Sequence, residues 1–100
     1  MAEAERDFQR LDLWLWCARL RKTRADCARL VEAGAIRINR QPTDKAHARV
    51  RPGDVLTIAQ GSGDRGRIAI WRVLALAERR GPPTEARALY EDLSGDMERD

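Results

Sequence analysis

Aromatic side chains make up 5 % of these 100 residues, and the chain has only two Cys, one His and four Pro. Cys17 and Cys27 are too few and too isolated for a disulfide framework or a zinc site. Their Leu-, Val- and Ala-rich helical surroundings fit buried, reduced thiols. His47 has no second His or Cys at ligand spacing, so no metal site is expected. No apolar run approaches the ~20 residues of a membrane span, and the opening MAEAERDFQR has no apolar signal core. The expectation is a cytoplasmic protein without membrane contact. There is no nucleophile–base pair, Gly-rich phosphate loop or carboxylate dyad with supporting context, so no catalysis and no cofactor are expected.

What the chain has instead is charge. Charged residues make up 35 %, beside 43 % apolar ones, and the net charge is +3. The basic excess is local. Residues 10–58 hold eleven Lys/Arg against five Asp/Glu, whereas residues 1–9 and 84–100 are net acidic. A basic module between acidic ends is an electrostatic footprint for a polyanion. Seventeen of the nineteen basic residues are Arg. Arg forks onto phosphate oxygens and stacks on bases, which suits RNA, but a GC-rich genome gives the same skew. The positions of the Arg residues therefore carry more than their number.

One hundred residues form one small domain, able to bury roughly 65 % of its unfolded surface. Residues 1–9 read as a flexible acidic terminus, 10–93 as the domain, and 94–100 as a flexible tail. Leu11, Trp14, Leu15 and Ala18 recur at i, i+3, i+4 and i+7, predicting a helix over 11–20. Leu13, Trp16, Cys17 and Leu20 add a second apolar face, so that helix should be covered on more than one side. The basic turn Arg21-Lys22-Thr23-Arg24 follows. Thr23 and Asp26 form a capping box that opens a second helix to about Ala33, and Gly34 suits a left-handed C-terminal cap. The period then changes from 3.6 to 2. Strands are expected at 36–39, weakly at 45–50, at 55–59 and at 67–76, with turns at Arg40-Gln41-Pro42 and Arg51-Pro52-Gly53-Asp54. Gly81-Pro82-Pro83 breaks the chain, and Thr84 is expected to cap a last helix through Leu93, docked by Tyr90.

Arg10-Leu11-Asp12, Leu15, Thr23-Arg24-Ala25, Ala28, Val31, Gly34, Ile36, Ile38, Asn39 and Pro52-Gly53-Asp54-Val55 together resemble the RNA-binding domain of the ribosomal protein S-four type. More narrowly, Trp14-Leu15-Trp16, Lys22-Thr23-Arg24 and Pro83-Thr84-Glu85-Ala86 to Leu89-Tyr90-Glu91 resemble the family of bacterial fifteen-kilodalton heat-shock RNA-binding proteins. The resemblance implies an α+β fold, with two N-terminal helices packed on a small, mainly antiparallel sheet (the alpha-L RNA-binding motif, 10–58), a β/α extension over 59–93, and a C-terminal helix. It further implies binding to structured ribosomal RNA on free large ribosomal subunits that hold a nascent chain on tRNA, in translation rescue or recycling. Two departures stand out. Arg40 occupies a place where the family usually has Gly, and the short acidic tail lacks the basic extension of longer relatives, for which reduced RNA affinity or a smaller footprint is expected.

The residues read on their own agree. Two helices meeting at a tight turn place Arg19, Arg21, Lys22, Arg24 and Arg29 near one another, and the next strand is expected to bring Arg37 close. The second helix would offer unpaired N–H groups to a phosphate at Thr23-Arg24. With Arg10 and Asn39 from the family pattern, and with Lys45, the expected RNA-binding set is Arg10, Arg19, Arg21, Lys22, Thr23, Arg24, Arg29, Arg37, Asn39 and Lys45. Lys22 and Arg24 are expected to be exposed. Asp12, in a helical first turn, fits a dipole or Arg partner, and the three Trp residues fit the core better than base stacking. Two other functions stay open: a DNA-binding helix-turn-helix regulator, and an accessory RNA-binding subunit of an RNA-modifying enzyme, since the same module occurs on pseudouridine synthases and tyrosyl-tRNA synthetases. A monomer is expected.

Overall fold

The computed structural model describes residues 7–60 and 66–94; the outer parts of both acidic flanks and most of the GSGDRG loop lie outside the described residues. The elements run β1 (Gln9–Arg10), α1 (Leu11–Cys17), α2 (Arg24–Glu32), β2 (Ile36–Ile38), β3 (Gln41–Thr43), β4 (Arg49–Val50), β5 (Val55–Gln60), β6 (Arg67–Val73), α3 (Pro83–Arg87) and β7 (Tyr90–Asp92). Five strands form one sheet in the order β3-β2-β5-β6-β7, and β1 pairs with β4 in a second. Every pairing is antiparallel. The α+β fold expected from the sequence is the fold observed.

The apolar spacing of α1 does what its period implies. Leu11, Trp14, Leu15 and Ala18 are all buried, against Cys27 and Val31 of α2 and Ile36, Leu56, Ile58, Trp71 and Val73 of the sheet. The second face of α1 is covered in part: Cys17 is buried, and Trp16 and Leu20 pack half-buried against the core. Trp14 donates its indole N–H to the Ala75 carbonyl (2.9 Å), and the Gln9 amide exchanges two hydrogen bonds with the backbone of Ala77. The segment after β6 therefore wraps the helix and ties in its leading strand. Gln9, expected in a flexible terminus, is buried because its amide finds partners 68 residues away.

Helix ends follow local chemistry more than apolar period. The first helix stops at Cys17, not Leu20. Arg19 takes a left-handed φ of 66°, its N–H bonds the Trp16 carbonyl and the Leu20 N–H bonds the Leu15 carbonyl. This paired capping motif closes a helix at its penultimate carbonyls, usually with Gly in the left-handed place. Gly34, at φ 84°, closes α2 by the same pair of bonds, from Gly34 to Val31 and Ala35 to Leu30, as expected. Thr23 is the N-cap of α2, its hydroxyl accepting the Asp26 N–H.

Three strand expectations are corrected. Ile38 pairs with Gln41, so Asn39 and Arg40 alone make the turn, and Gln41–Thr43 is a strand where a turn was expected. Both turn residues have positive φ, 51° and 74°, the geometry of a two-residue type I′ hairpin. Pro42 is tolerated because β3 lies at the sheet edge. The weak strand at 45–50 shrinks to Arg49–Val50, paired with β1. The last helix ends at Arg87, and Tyr90–Asp92 pairs with β6. Its cap is Pro82, with Pro83 in the first turn, so Thr84 is already inside the helix. Tyr90 consequently stacks on Trp71, with ring centroids 3.8 Å apart. Ser94, expected in the flexible tail, accepts the Ile70 N–H with its hydroxyl.

Arg40 carries a testable consequence. A non-Gly residue in the left-handed region costs about 1–2 kcal/mol, partly offset by the entropy that Gly would lose on folding. Arg40→Gly is expected to stabilise the protein by about 0.5–1 kcal/mol. Thermal denaturation should show a rise in Tm of a few °C. An unchanged or lower Tm would mean that the Arg40 side chain offsets its backbone strain.

Candidate nucleic-acid interface

The basic turn between α1 and α2 is held from several sides. Arg21 donates from Nη1 to the Leu20 carbonyl (3.0 Å) and to the Gln60 side chain (3.4 Å). Arg80 donates from Nε to the Trp16 carbonyl and from Nη2 to the Arg21 carbonyl, with its guanidinium 5.5 Å from the Trp16 ring centroid. Arg19 donates from Nε to the Gly81 carbonyl (2.9 Å). Cationic groups thus cover the carbonyl end of α1, where its dipole is negative. The turn is a braced ridge rather than a loose loop.

Asp12 organises a second cluster. Its side chain is 5 % exposed, and both carboxylate oxygens accept hydrogen bonds from Arg10, while Arg24 Nε lies 3.5 Å away. One Asp12 oxygen also accepts the Leu13 N–H at the start of α1. The role is the one its helical position suggested, an Arg partner and first-turn anion. The result brings Arg10 and Arg24 together, side chains 51 % and 43 % exposed, with outward surface still available to a phosphate.

The remaining expected residues divide. Lys22 and Thr23 are exposed at the turn. Thr23 spends its hydroxyl on the helix cap, and Asp26 puts a carboxylate in the first turn of α2, so that N-terminus is not a vacant anion site. Arg29 is paired with Asp26 on the exposed face of α2, and this hydrogen bond, followed by that to Thr23, holds the Asp26 carboxyl below its usual range. Lys45 lies 3.7 Å from Asp44 in the loop after β3. Asn39 is a latch: its amide donates to Asp54 (3.0 Å) and accepts the Val55 N–H (2.9 Å), joining the hairpin turn to the Pro-Gly turn. Arg37 does not join the ridge. Strand pleating puts it on the sheet face opposite the buried Ile36, away from the helices.

Sequence reading missed Arg80 and Gln60. Arg80 braces the turn from behind, and Gln60, in β5, accepts from Arg21. Neither has a local signal, because both reach the turn only through sheet pairing or a long return of the chain. Cys17 and Cys27 are buried free thiols whose pKa values burial pushes up, so both stay protonated. Among the described residues no group of His, Cys, Asp and Glu is arranged to hold a metal, and no helix is long and apolar enough to cross a membrane.

Comparison with known proteins matches this geometry. The S4 domain family matches residues 9–56. Heat shock protein 15 of Escherichia coli (strain K12) is 39 % identical over 90 residues, covering 90 % of this chain and 64 % of that protein. A heat shock protein 15 homolog of Haemophilus influenzae is 32 % identical over 99 residues, covering 99 % of this chain and 70 % of its own. The small ribosomal subunit protein uS4 of Cupriavidus taiwanensis is 39 % identical over 75 residues, or 35 % of its length. The trimeric structure of Vibrio cholerae heat shock protein 15 superposes with a TM-score of 0.79 at 29 % identity, covering 93 % of this chain and 89 % of that one. That relative is trimeric where the sequence reading expects a monomer of this chain. The chain thus spans about two thirds of the length of its Escherichia coli relative, and its S4 domain, fold and near-full-length similarity together place it in the heat shock protein 15 family.

Proposed function

We propose that this chain is a non-catalytic, cytoplasmic RNA-binding protein that docks its α1–α2 ridge on structured ribosomal RNA. The target is the free large ribosomal subunit still carrying a nascent chain on tRNA, and the role is translation rescue or recycling under heat stress. The observation that carries the reading is the ridge itself. Arg19, Arg21, Lys22 and Arg24, four cations within six residues, crowd one turn that Thr23 caps and Arg80 braces from behind. A fixed cationic ridge suits the shape and phosphate spacing of folded RNA better than the bases of a duplex. Kinship with heat shock protein 15 and with a ribosomal protein supports the same partner. The four ridge cations and the Arg80 brace all come from one chain, which supports a monomer as the binding unit.

Co-sedimentation tests the proposal. At physiological salt the protein is expected to pellet with isolated large ribosomal subunits in preference to small subunits or duplex DNA at equal phosphate concentration. Non-specific binding, at roughly 10⁻⁴–10⁻⁶ M, fades under those conditions. Equal retention on all three would leave only a basic protein that sticks to polyanions.

A further inference from the structure

Beside the ridge lies a cavity of about 290 Å³, near the lower end of the ~300–1,000 Å³ typical of small-molecule clefts. Its lining combines Arg19 and Leu20 of the turn with Gln60, Trp71, Arg87 and Tyr90. We propose that this cavity receives one unpaired nucleotide of the RNA bound on the ridge, holding the base against Tyr90 and Leu20 and the phosphate between Arg19 and Arg87. The inference rests on the RNA-binding reading and adds a second, base-holding contact to it.

The chemistry of the lining fits that ligand. A nucleotide needs an apolar wall for its ring, donors for its edge and cations for its phosphate. Trp71 is stacked on one face of Tyr90, their rings inclined by 14°, and Trp14 packs edge-on against both. The aromatic wall is therefore rigid before any ligand arrives. Tyr90 brings its remaining surface and its hydroxyl, which burial and Asp92 keep protonated and so able to donate, against the opposing influence of Arg87. The Gln60 side-chain oxygen accepts from Arg21, which leaves the amide N–H groups for a base edge. Arg72 and Arg79 are paired with Glu91 and Glu85, whereas Arg87 has no such partner among the described residues. Arg19 spends Nε on Gly81 and keeps its terminal amines.

The backbone adds an independent observation. Arg19 stands at the left-handed cap of α1, where Gly is the unstrained residue. Strain of this kind persists where the surroundings enforce it, and it clusters at binding sites. Here it sets an arginine at the junction of ridge and cavity. Leu20 and Arg21 follow directly, so an RNA strand crossing the ridge passes the mouth of the cavity.

The test compares three short RNA hairpins of one sequence in fluorescence anisotropy at physiological salt: fully paired, carrying a single bulged nucleotide, and carrying an abasic residue at the bulge. The wild-type protein is expected to bind the bulged hairpin about tenfold tighter than the paired one, the value of one base stacked on an aromatic side chain. The abasic hairpin, which keeps the bend but lacks the base, should lose that preference. Arg87→Ala and Gln60→Ala lie outside the core, and each should bring the bulged-to-paired ratio toward one. Arg19→Gly should reduce the ratio while leaving the melting temperature nearly unchanged, because relief of the left-handed backbone offsets the lost bond to Gly81. A 4-thiouridine at the bulge should crosslink within residues 86–90. Equal binding of the bulged and abasic hairpins, or a ratio unmoved by Arg87→Ala and Gln60→Ala, would overturn the cavity while leaving ridge binding intact. Loss of binding to all three hairpins would remove the RNA reading and the cavity with it.

Discussion

Replacing Trp14 with alanine is expected to lower the stability of the protein by about 3–5 kcal/mol, the range for truncating a fully buried Trp. Trp14 has no exposed surface. Its indole meets Trp71 and Tyr90 edge-on, with ring centroids 6.4 and 6.5 Å away, and its N–H is given to the Ala75 carbonyl. The same side chain therefore joins α1 to β6, to β7 and to the returning segment. Domains of this size have only about 5–15 kcal/mol in total, so the variant should be at best marginally folded at 37 °C. Urea denaturation should show a large fall in midpoint with a similar slope. Trp14→Phe keeps most of the ring packing but leaves the Ala75 carbonyl unpaired, and should lose about 1–3 kcal/mol. A loss below about 1 kcal/mol for the alanine variant would contradict the packing described for α1.

The second large effect is on RNA affinity. With roughly four to eight phosphate contacts, log affinity for ribosomal RNA should fall with log salt at a slope of about −3 to −7. Removing Lys22 and Arg24 together should make that slope shallower by about two. At about 1 kcal/mol per solvent-screened contact, the affinity loss is roughly thirtyfold. The two residues differ in what else they do. Lys22 is exposed, and Lys22→Ala should leave the melting temperature unchanged. Arg24 is exposed as the sequence suggested, yet its Nε lies 3.5 Å from the buried Asp12 carboxylate. Arg24→Ala should therefore lower stability slightly, by up to about 1 kcal/mol given its exposure. Pairing Lys22→Ala with Arg29→Ala keeps the loss of charge away from Asp12. Titration against large-subunit RNA across salt concentrations checks all of this; a slope near zero, or a double variant that binds like wild type, would exclude the ridge as the main contact.

Much of the architecture was legible because its signals are local. The 3.6-residue spacing of Leu11, Trp14, Leu15 and Ala18, the Thr23–Asp26 cap and the Gly34 cap are each settled within one turn of helix. The Pro52-Gly53 turn likewise closes between Arg51 and Asp54, where the Asp54 N–H donates to the Arg51 carbonyl and the Asp54 carboxylate accepts the Arg51 N–H. Cys17, Cys27, Trp14 and Trp71 are buried as their apolar neighbourhoods implied. The concentration of cations at one turn was also visible, since Arg19, Arg21, Lys22 and Arg24 fall within six consecutive residues.

Local reasoning failed where a residue answers to a distant partner. Pro42 looked like a turn residue, but register with β2 makes it an edge-strand residue. Tyr90 looked helical, but the free edge of β6 and the face of Trp71 draw it into a strand. Arg37 looked like a neighbour of the ridge, and pleating turned it to the other face. Gln9 reads as part of a flexible terminus and Arg80 gives no local signal, and each is fixed by hydrogen bonds to groups about 60 or more residues away. By itself, then, the sequence determined the two helices, both caps of the second, the Pro-Gly turn and the basic segment, because those depend on neighbours three or four residues apart. The tertiary structure alone decided which cations share a surface, which polar side chains are spent as internal ties and where the aromatic-walled cavity opens, because these depend on strands and segments that meet only when the chain has folded.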